Sequence, residues 1–215
     1  MSTVLVESLM IGIILANLAL LASCRVRSLI GRVAFQGMIL GILPLVAAQG
    51  QITTYTWGFS LMVFGLKGIA FPWLLMWTFR RVKPSPEIEP LVGYNLTILA
   101  GLAGLLFAMW LQRGLPMPDH ALSDLAFATA FMTSLTGFLL LVTRKKALTQ
   151  VIGYLVAENG IFLFGVTLSP HGPLWMELST LLDLFVAVFV MGIAIHHINR
   201  EFDSIDMDSL SSLKD

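Results

Sequence analysis

The sequence predicts an all-α protein that crosses a membrane several times. Hydrophobic residues make up 57% of the 215 residues and charged residues only 12%, whereas about a quarter of the residues of a soluble domain are charged. Apolar stretches recur along the chain, each close to the roughly 20 helical residues that cross the hydrocarbon core of a bilayer. Because hydrocarbon offers no hydrogen-bond partners, each such stretch must satisfy its own backbone, and we expect it to be a helix.

We predict about seven transmembrane helices. The predicted spans are 4–23, 33–49, 57–79, 91–111, 122–143, 148–168 and 174–197. The second span is short and can extend back to Leu29. No basic residue precedes the first span, and Arg25 and Arg27 follow it, so we expect a retained first helix rather than a cleaved signal peptide.

The basic residues predict the orientation of the chain in the cell (inner) membrane. If the chain has seven helices, Arg113 is the only basic residue outside the spans on one side of the membrane. The other basic residues outside the spans all fall on the opposite side. Those residues are Arg25, Arg27, Arg32, Arg80, Arg81, Lys83, Arg144, Lys145, Lys146, Arg200 and Lys214. Cytoplasmic loops carry the excess of Lys and Arg, so we expect the amino terminus outside and the carboxyl terminus in the cytoplasm.

The order of the helices suggests a repeat of three-helix units. The units would be 1–83 and 122–215, with a connecting helix and its loops in 84–121. The segments "GRVAFQGMIL" (31–40) and "GYLVAENGIF" (153–162) align Gln36 with Glu158. Apolar helices resemble one another easily, so the repeat is a hypothesis for the structure to test.

Three ionisable residues lie near the middle of their spans: Lys67, Glu158 and Asp183. Each costs about 2.5–3.5 kcal/mol at the centre of a membrane helix, so such residues usually face an interior and serve ions or protons. Burial disfavours the charged form and an opposite charge favours it, and sites balanced between the two effects can exchange protons near neutral pH. The alternative is a structural bridge between Lys67 and Glu158 or Asp183; the spacing alone does not choose the partner.

Other polar residues accompany these three charges. We expect the supporting polar residues to be Ser179, Thr180, Tyr154 and Gln36, and the residues for proton entry or exit to be His196 and His197. Histidine titrates near neutral pH, although a pair of histidines at a helix end is also simply polar.

Two further patterns bear on packing. Gly37 and Gly41 form a Gly-x-x-x-Gly pattern that permits close helix contact, and Pro72 follows Lys67 closely enough to loosen the backbone near the charge. The single cysteine, Cys24, cannot form a disulfide within the chain. We find no phosphate loop, zinc motif or cysteine cluster.

The chain resembles component E of hydrogenase-4, a membrane subunit of formate hydrogenlyase-type group 4 hydrogenases. Its last three helices also resemble the K subunit of respiratory complex I and the C subunit of multi-subunit sodium/proton antiporters. The resemblance is carried by "QVIGYLVAENGIFLFGV" (150–166), "LSTLLDLFVAVFVMGIAI" (178–195), the tail "SIDMDSLSSLKD" (204–215) and Lys67. The K-subunit glutamates implicated in a proton path fall on Glu158 and on Asp183, which is one methylene shorter.

The resemblance implies a non-catalytic subunit of an energy-converting, oxidoreductase-type membrane complex. Nickel–iron and iron–sulfur centres would belong to partner subunits, with no cofactor in this chain. The expected partners are membrane lipid, antiporter-like and other membrane subunits, and peripheral hydrogenase subunits, with no nucleic acid. Three alternatives remain. The first is a subunit of a cation/proton antiporter without a redox partner, and the second is a structural anchor that docks soluble subunits through 80–90 and 201–215. The third is a free-standing small transporter, which would purify alone or as a homo-oligomer.

Overall fold

The computed structural model describes residues 2–23, 25–48, 53–82, 93–114, 123–144, 146–168, 188 and 192. Every secondary-structure element in these ranges is a helix, as the composition predicts. The elements are α1 (Ser2–Leu21), α2 (Val26–Ala47), α3 (Thr54–Val63), a π-helical segment (Phe64–Ala70), α4 (Phe71–Val82), α5 (Tyr94–Gln112), α6 (Asp124–Thr143) and α7 (Ala147–Leu168). The all-α fold class is confirmed.

Six helices in the described residues are long and apolar enough to cross a membrane. They are Val4–Leu21, Val26–Ala47, Thr54–Arg80, Asn95–Gln112, Leu125–Thr143 and Leu148–Leu168. The third of them runs from α3 through the π segment into α4. These six correspond to the first six predicted spans. The seventh span, 174–197, lies outside the described residues apart from positions 188 and 192, so the count of seven stays a prediction.

One predicted boundary is wrong by about two turns. The second helix begins at Val26, not at 33 or Leu29, so Arg27 and Arg32 lie within its first turns. The prediction followed apolar content, but long basic side chains at a helix end can reach past the apolar region while the backbone stays helical.

The helices enclose two apolar cores, one towards each end of the bundle. The basic-end core is formed by the carboxyl end of α1, the amino-terminal half of α2, α4, and the adjoining ends of α6 and α7. Its buried members are Leu20, Val26, Leu29, Ile30, Val33, Phe71, Leu75, Leu140, Leu148, Val151, Ile152, Leu155 and Val156. The far-end core joins the opposite halves of α1, α2, α6 and α7 to α3. Its buried members are Val6, Met10, Ile13, Ile39, Leu40, Leu43, Phe59, Val63, Ala126, Ala130, Phe162 and Leu163. The helix ends beside the basic-end core are the ones that carry the described arginines of α2, α4 and the α6–α7 connection.

The α6–α7 pair makes the most extensive helix contact in the described structure. Small residues allow it: a Cβ added at Gly137 would overlap the backbone of Ala157, and one at Gly160 would overlap Ser134. Lipid tails are as apolar as the helix surfaces, so the hydrophobic effect does not drive helices together inside a membrane. Close backbone contact of this kind is therefore a main source of helix association. α6 therefore holds α7 in a fixed position against the rest of the bundle.

α5 packs on the outside of this bundle. Gly101 meets the side chain of Leu21 and Gly104 meets that of Leu135, so these two small residues let α5 approach its neighbours closely. Large apolar side chains on its other side, such as Leu99 and Trp110, are exposed. The division into units 1–83, 84–121 and 122–215 and the internal repeat stay predictions.

Candidate functional site

A layer of buried polar side chains separates the two apolar cores. Its members, which we call the polar layer, come from five helical segments: Asn17 (α1), Gln36 (α2), Lys67 (π segment), Thr133 (α6) and Glu158 (α7). On α1, for example, Asn17 lies between Ile13 of the far-end core and Leu20 of the basic-end core. The same order holds on the other four segments, so the polar residues share one level of the bundle.

Lys67 and Glu158 form a buried ion pair. The ammonium nitrogen Nζ of Lys67 donates to the carboxylate oxygen Oε2 of Glu158, and only 2% of each side chain is exposed. The Lys67 nitrogen also lies 5.6 Å from the centre of the Phe162 ring, within the range of a cation–π attraction. The spacing of the residues left open whether Lys67 pairs with Glu158 or Asp183. The structure identifies Glu158 as an ion-pair partner of Lys67.

Close packing of α2 brings the Lys67 backbone into position. A Cβ on Gly37 would overlap the carbonyl of Lys67, and a Cβ on Gly41 would overlap the backbone of Phe64. The Ser60 hydroxyl donates to the carbonyl of Gly41. The predicted role of the Gly-x-x-x-Gly pattern in close helix contact is confirmed, and its partner is the π segment that carries the buried charge.

A chain of hydrogen bonds joins three more helices at the same level. Gln36 Nε2 donates to Asn17 Oδ1 over 2.7 Å, and Asn17 Nδ2 donates to Thr133 Oγ1 over 2.8 Å. The Thr133 hydroxyl donates in turn to the carbonyl of Thr129 over 2.7 Å. These bonds tie α1, α2 and α6 together through side chains that are almost wholly inaccessible to solvent.

The remaining predicted site residues divide into two groups. Tyr154 lies one turn before Glu158 on α7 and packs, partly buried, against the basic-end core. Five predicted residues lie outside the described residues and stay predictions: Ser179, Thr180, Asp183, His196 and His197.

Sequence reasoning missed Asn17 and Thr133. Both are uncharged, and Thr133 is one of many hydroxyl residues in apolar helices that simply bond their own backbone. An asparagine in the middle of an apolar span was the available signal for Asn17, because amides inside a membrane usually hydrogen-bond across helices.

Arg144 was counted only as a basic loop residue, yet just 1% of it is exposed. Its Nη2 lies 3.4 Å from the carbonyl oxygen of Leu21, at the carboxyl end of α1. A cation is favourable there because the helix dipole places partial negative charge at that end. Arg144 thus links the α6–α7 connection to α1.

The chemistry available in the polar layer is proton exchange and hydrogen bonding. Within the described ranges, no three His, Cys, Asp or Glu side chains lie together as a metal site would need. An ammonium–carboxylate pair and an amine–carboxylic acid pair differ only in the position of one proton along the hydrogen bond. Either position of that proton leaves the Lys67–Glu158 pair without a net charge.

Comparison with known proteins identifies distant relatives. The chain is 29% identical over 157 residues, 72% of its own length and 72% of theirs, to Hydrogenase-4 component E of Escherichia coli (strain K12) and of Shigella flexneri. It is 28% identical over 216 residues to the uncharacterized protein Rv0085 of Mycobacterium tuberculosis, covering 99% of this chain and 97% of that protein. No family model and no solved structure matches the chain.

Proposed function

We propose that this chain is a membrane subunit of an energy-converting hydrogenase complex of the formate hydrogenlyase type, in which it carries part of a proton path. Six membrane-length helices among the described residues and the similarity to Hydrogenase-4 component E support its place in such a complex. The nickel–iron and iron–sulfur centres belong to partner subunits. The contribution of this chain is to hold and move protons within the membrane.

The observation that carries the proposal is the buried Lys67–Glu158 pair. Leucine at both positions would pack the bundle at lower insertion cost, and charged residues inside a membrane are generally found on ion or proton pathways. The pair joins the π segment to α7 at the level of the polar layer, where the amide and hydroxyl groups of Gln36, Asn17 and Thr133 continue across the bundle. Amide groups do not titrate, so the proton-carrying groups are the ion pair and, by prediction, Asp183.

The basic end of the bundle is the side on which we place the soluble partners. The described arginines there include the exposed Arg25, Arg27 and Arg80, and positively charged connections mark the cytoplasmic side of membrane proteins. Peripheral hydrogenase subunits would then dock on that side, and antiporter-like membrane subunits would pack laterally. Under the proposed path, His196 and His197 serve proton entry or exit at the same side.

The decisive experiment replaces Glu158 by Gln in the native host. The assembled complex is then scored for subunit content, for redox activity and for proton movement in sealed membrane vesicles. Gln keeps the shape of the side chain and an oxygen that can accept from Lys67, but it cannot carry a proton. We therefore expect redox activity per assembled complex to persist and proton movement per assembled complex to fall, with a lower yield of the complex because the Lys67 charge loses its partner. The matched control is Glu7→Gln, the same change at an exposed position on α1, which should leave all three unchanged.

The other outcomes separate the alternatives. Undiminished proton movement in an assembled Glu158→Gln complex would refute the proton path and favour a structural anchor. Loss of assembly in that variant, but not in Glu7→Gln, would favour a structural bridge between the π segment and α7. An assembly that co-purifies without nickel or iron would favour an antiporter subunit over a hydrogenase subunit.

A further inference from the structure

The hydrogen-bond chain through Gln36 has a fixed direction. At one end, the backbone carbonyl of Thr129 can only accept, so the Thr133 hydroxyl must donate to it. The Thr133 oxygen therefore accepts from Asn17, which must present its nitrogen there and its oxygen to Gln36. Gln36 must then donate through Nε2. The orientation of both amides follows from this polarity and leaves only one atom at the head of the chain, Gln36 Oε1.

That atom is a buried acceptor without a donor. Gln36 is 0% exposed, and its Oε1 has no hydrogen-bond partner among the described residues. A polar atom left unsatisfied in a protein interior costs about 1–3 kcal/mol, and native structures usually meet such atoms with ordered water when no side chain does so. Reversing the amide would not help, because Nε2 is already required by Asn17.

A second unsatisfied atom, of opposite character, lies next in sequence to Glu158. Asn159 follows Glu158 on α7, is 2% exposed, and its Nδ2 donor has no acceptor among the described residues. α2 and α7 pack against each other, so the acceptor of Gln36 and the donor of Asn159 belong to adjoining helices. The hydroxyl of Ser134, which lies against Gly160, is likewise buried without a described partner.

We propose that the polar layer contains an ordered water molecule that donates a hydrogen bond to Gln36 Oε1, with the Asn159 amide as the group that donates to the water. Water can accept from one side chain and donate to another, which satisfies both atoms at once. A sodium ion would suit the oxygen of Gln36, but cations of this kind take oxygen ligands and are repelled by the N–H groups of Asn159. The water would extend the Thr133–Asn17–Gln36 chain towards the helix that carries Glu158.

The test is a density map of the full-length chain in lipid nanodiscs, by electron cryo-microscopy at a resolution that shows ordered waters. We expect a peak within hydrogen-bond distance of Gln36 Oε1 in the wild type. The peak should disappear in Gln36→Met, which keeps the length of the side chain and removes its polar atoms. The control is Gln150→Met at an exposed position of α7, in which the peak should remain.

Three results would overturn the assignment. The first is a wild-type map without a peak at Gln36 Oε1, whether or not Gln36→Met can be purified. The second is Lys67 Nζ in hydrogen-bond contact with that oxygen in place of a separate peak. The third is a peak that is present in sodium buffer and absent when potassium replaces sodium, which would identify a cation. Proton movement is not the readout, so failure of the proposed function leaves this test unaffected.

Discussion

Replacement of Lys67 by Met should show how much the ion pair contributes to the free energy of unfolding. The side chains of Lys67 and Glu158 are each about 2% exposed, so the values measured for buried pairs apply, and those for surface pairs do not. Removing one partner of a buried pair costs about 3–5 kcal/mol because the other charge is left uncompensated, whereas replacing both partners is often neutral. We therefore expect Lys67→Met to lower the free energy of unfolding by about 3–5 kcal/mol.

The double variant Lys67→Met/Glu158→Gln gives the sharper expectation. If the two charges stabilise each other mainly by pairing, this variant should be more stable than Lys67→Met alone, although it contains one more substitution. The difference from additivity is the coupling energy of the pair. For the double variant to be more stable than Lys67→Met, the coupling must exceed the cost of Glu158→Gln alone, which by the same rule is about 3–5 kcal/mol. We therefore expect a coupling above about 3 kcal/mol, the upper end of the range measured for residues in contact.

The assay is reversible unfolding of the purified chain in mixed micelles, followed by circular dichroism, for the wild type and the three variants of the cycle. Glu7→Gln and Arg27→Met, at exposed positions, control for the loss of a charge in general and should change the free energy little. Strictly additive single effects would refute the reasoning, since they would mean that the two charges do not depend on each other. A double variant less stable than Lys67→Met would refute it as well.

Three further perturbations follow from the packing. Gly37→Ala should destabilise the chain by about 1–3 kcal/mol in the same assay, because the added Cβ overlaps the Lys67 carbonyl. The control Gly31→Ala, on the same helix, should be neutral because its Cβ meets no neighbouring atom within 4 Å. Equal effects of the two substitutions would contradict the close-packing argument. Asn17→Leu should cost about 1–3 kcal/mol by leaving buried polar partners unsatisfied, and an unchanged thermal midpoint would show that the hydrogen-bond chain contributes nothing. Arg144→Met should lower the thermal midpoint by removing the cation at the carboxyl end of α1, while Arg27→Met, at an exposed site of the same end, should not; equal midpoints would argue against the link to Leu21.

The membrane helices could be predicted because their signal is strong and local. A stretch of about 20 apolar residues has few alternatives in a chain of this composition, and six such spans are present among the described residues. The start of α2 was missed because Arg27 and Arg32 lower the apolar content of its first turns without ending the helix. Local composition therefore locates a helix and leaves its ends to interactions with headgroups, water and neighbouring helices.

Of the polar layer, Lys67, Glu158 and Gln36 were predicted from the sequence, and Asn17 and Thr133 were not. Lys67 and Glu158 stand out because a charge in an apolar span is costly, but their pairing joins residues 91 positions apart and depends on how the helices pack. Asn17 and Thr133 are cheaper to bury, so they stand out less, and their hydrogen bond spans 116 positions. The partner of each residue is a property of the bundle, which one sequence without related sequences does not specify.

The π segment explains how one continuous span can line both apolar cores. Five buried residues lie four positions apart along the span that runs from α3 through the π segment into α4: Phe59, Val63, Lys67, Phe71 and Leu75. In an α-helix at about 100° per residue, sixteen residues would leave Phe59 and Leu75 about 160° apart, on nearly opposite faces. An i→i+5 turn takes one residue more than an α turn, and absorbing about one extra residue between Val63 and Phe71 reduces that angle to about 60°. Because of this change in register, the face that meets the far-end core also meets the basic-end core, and Lys67 lies on it between them, directed into the bundle where α7 presents Glu158.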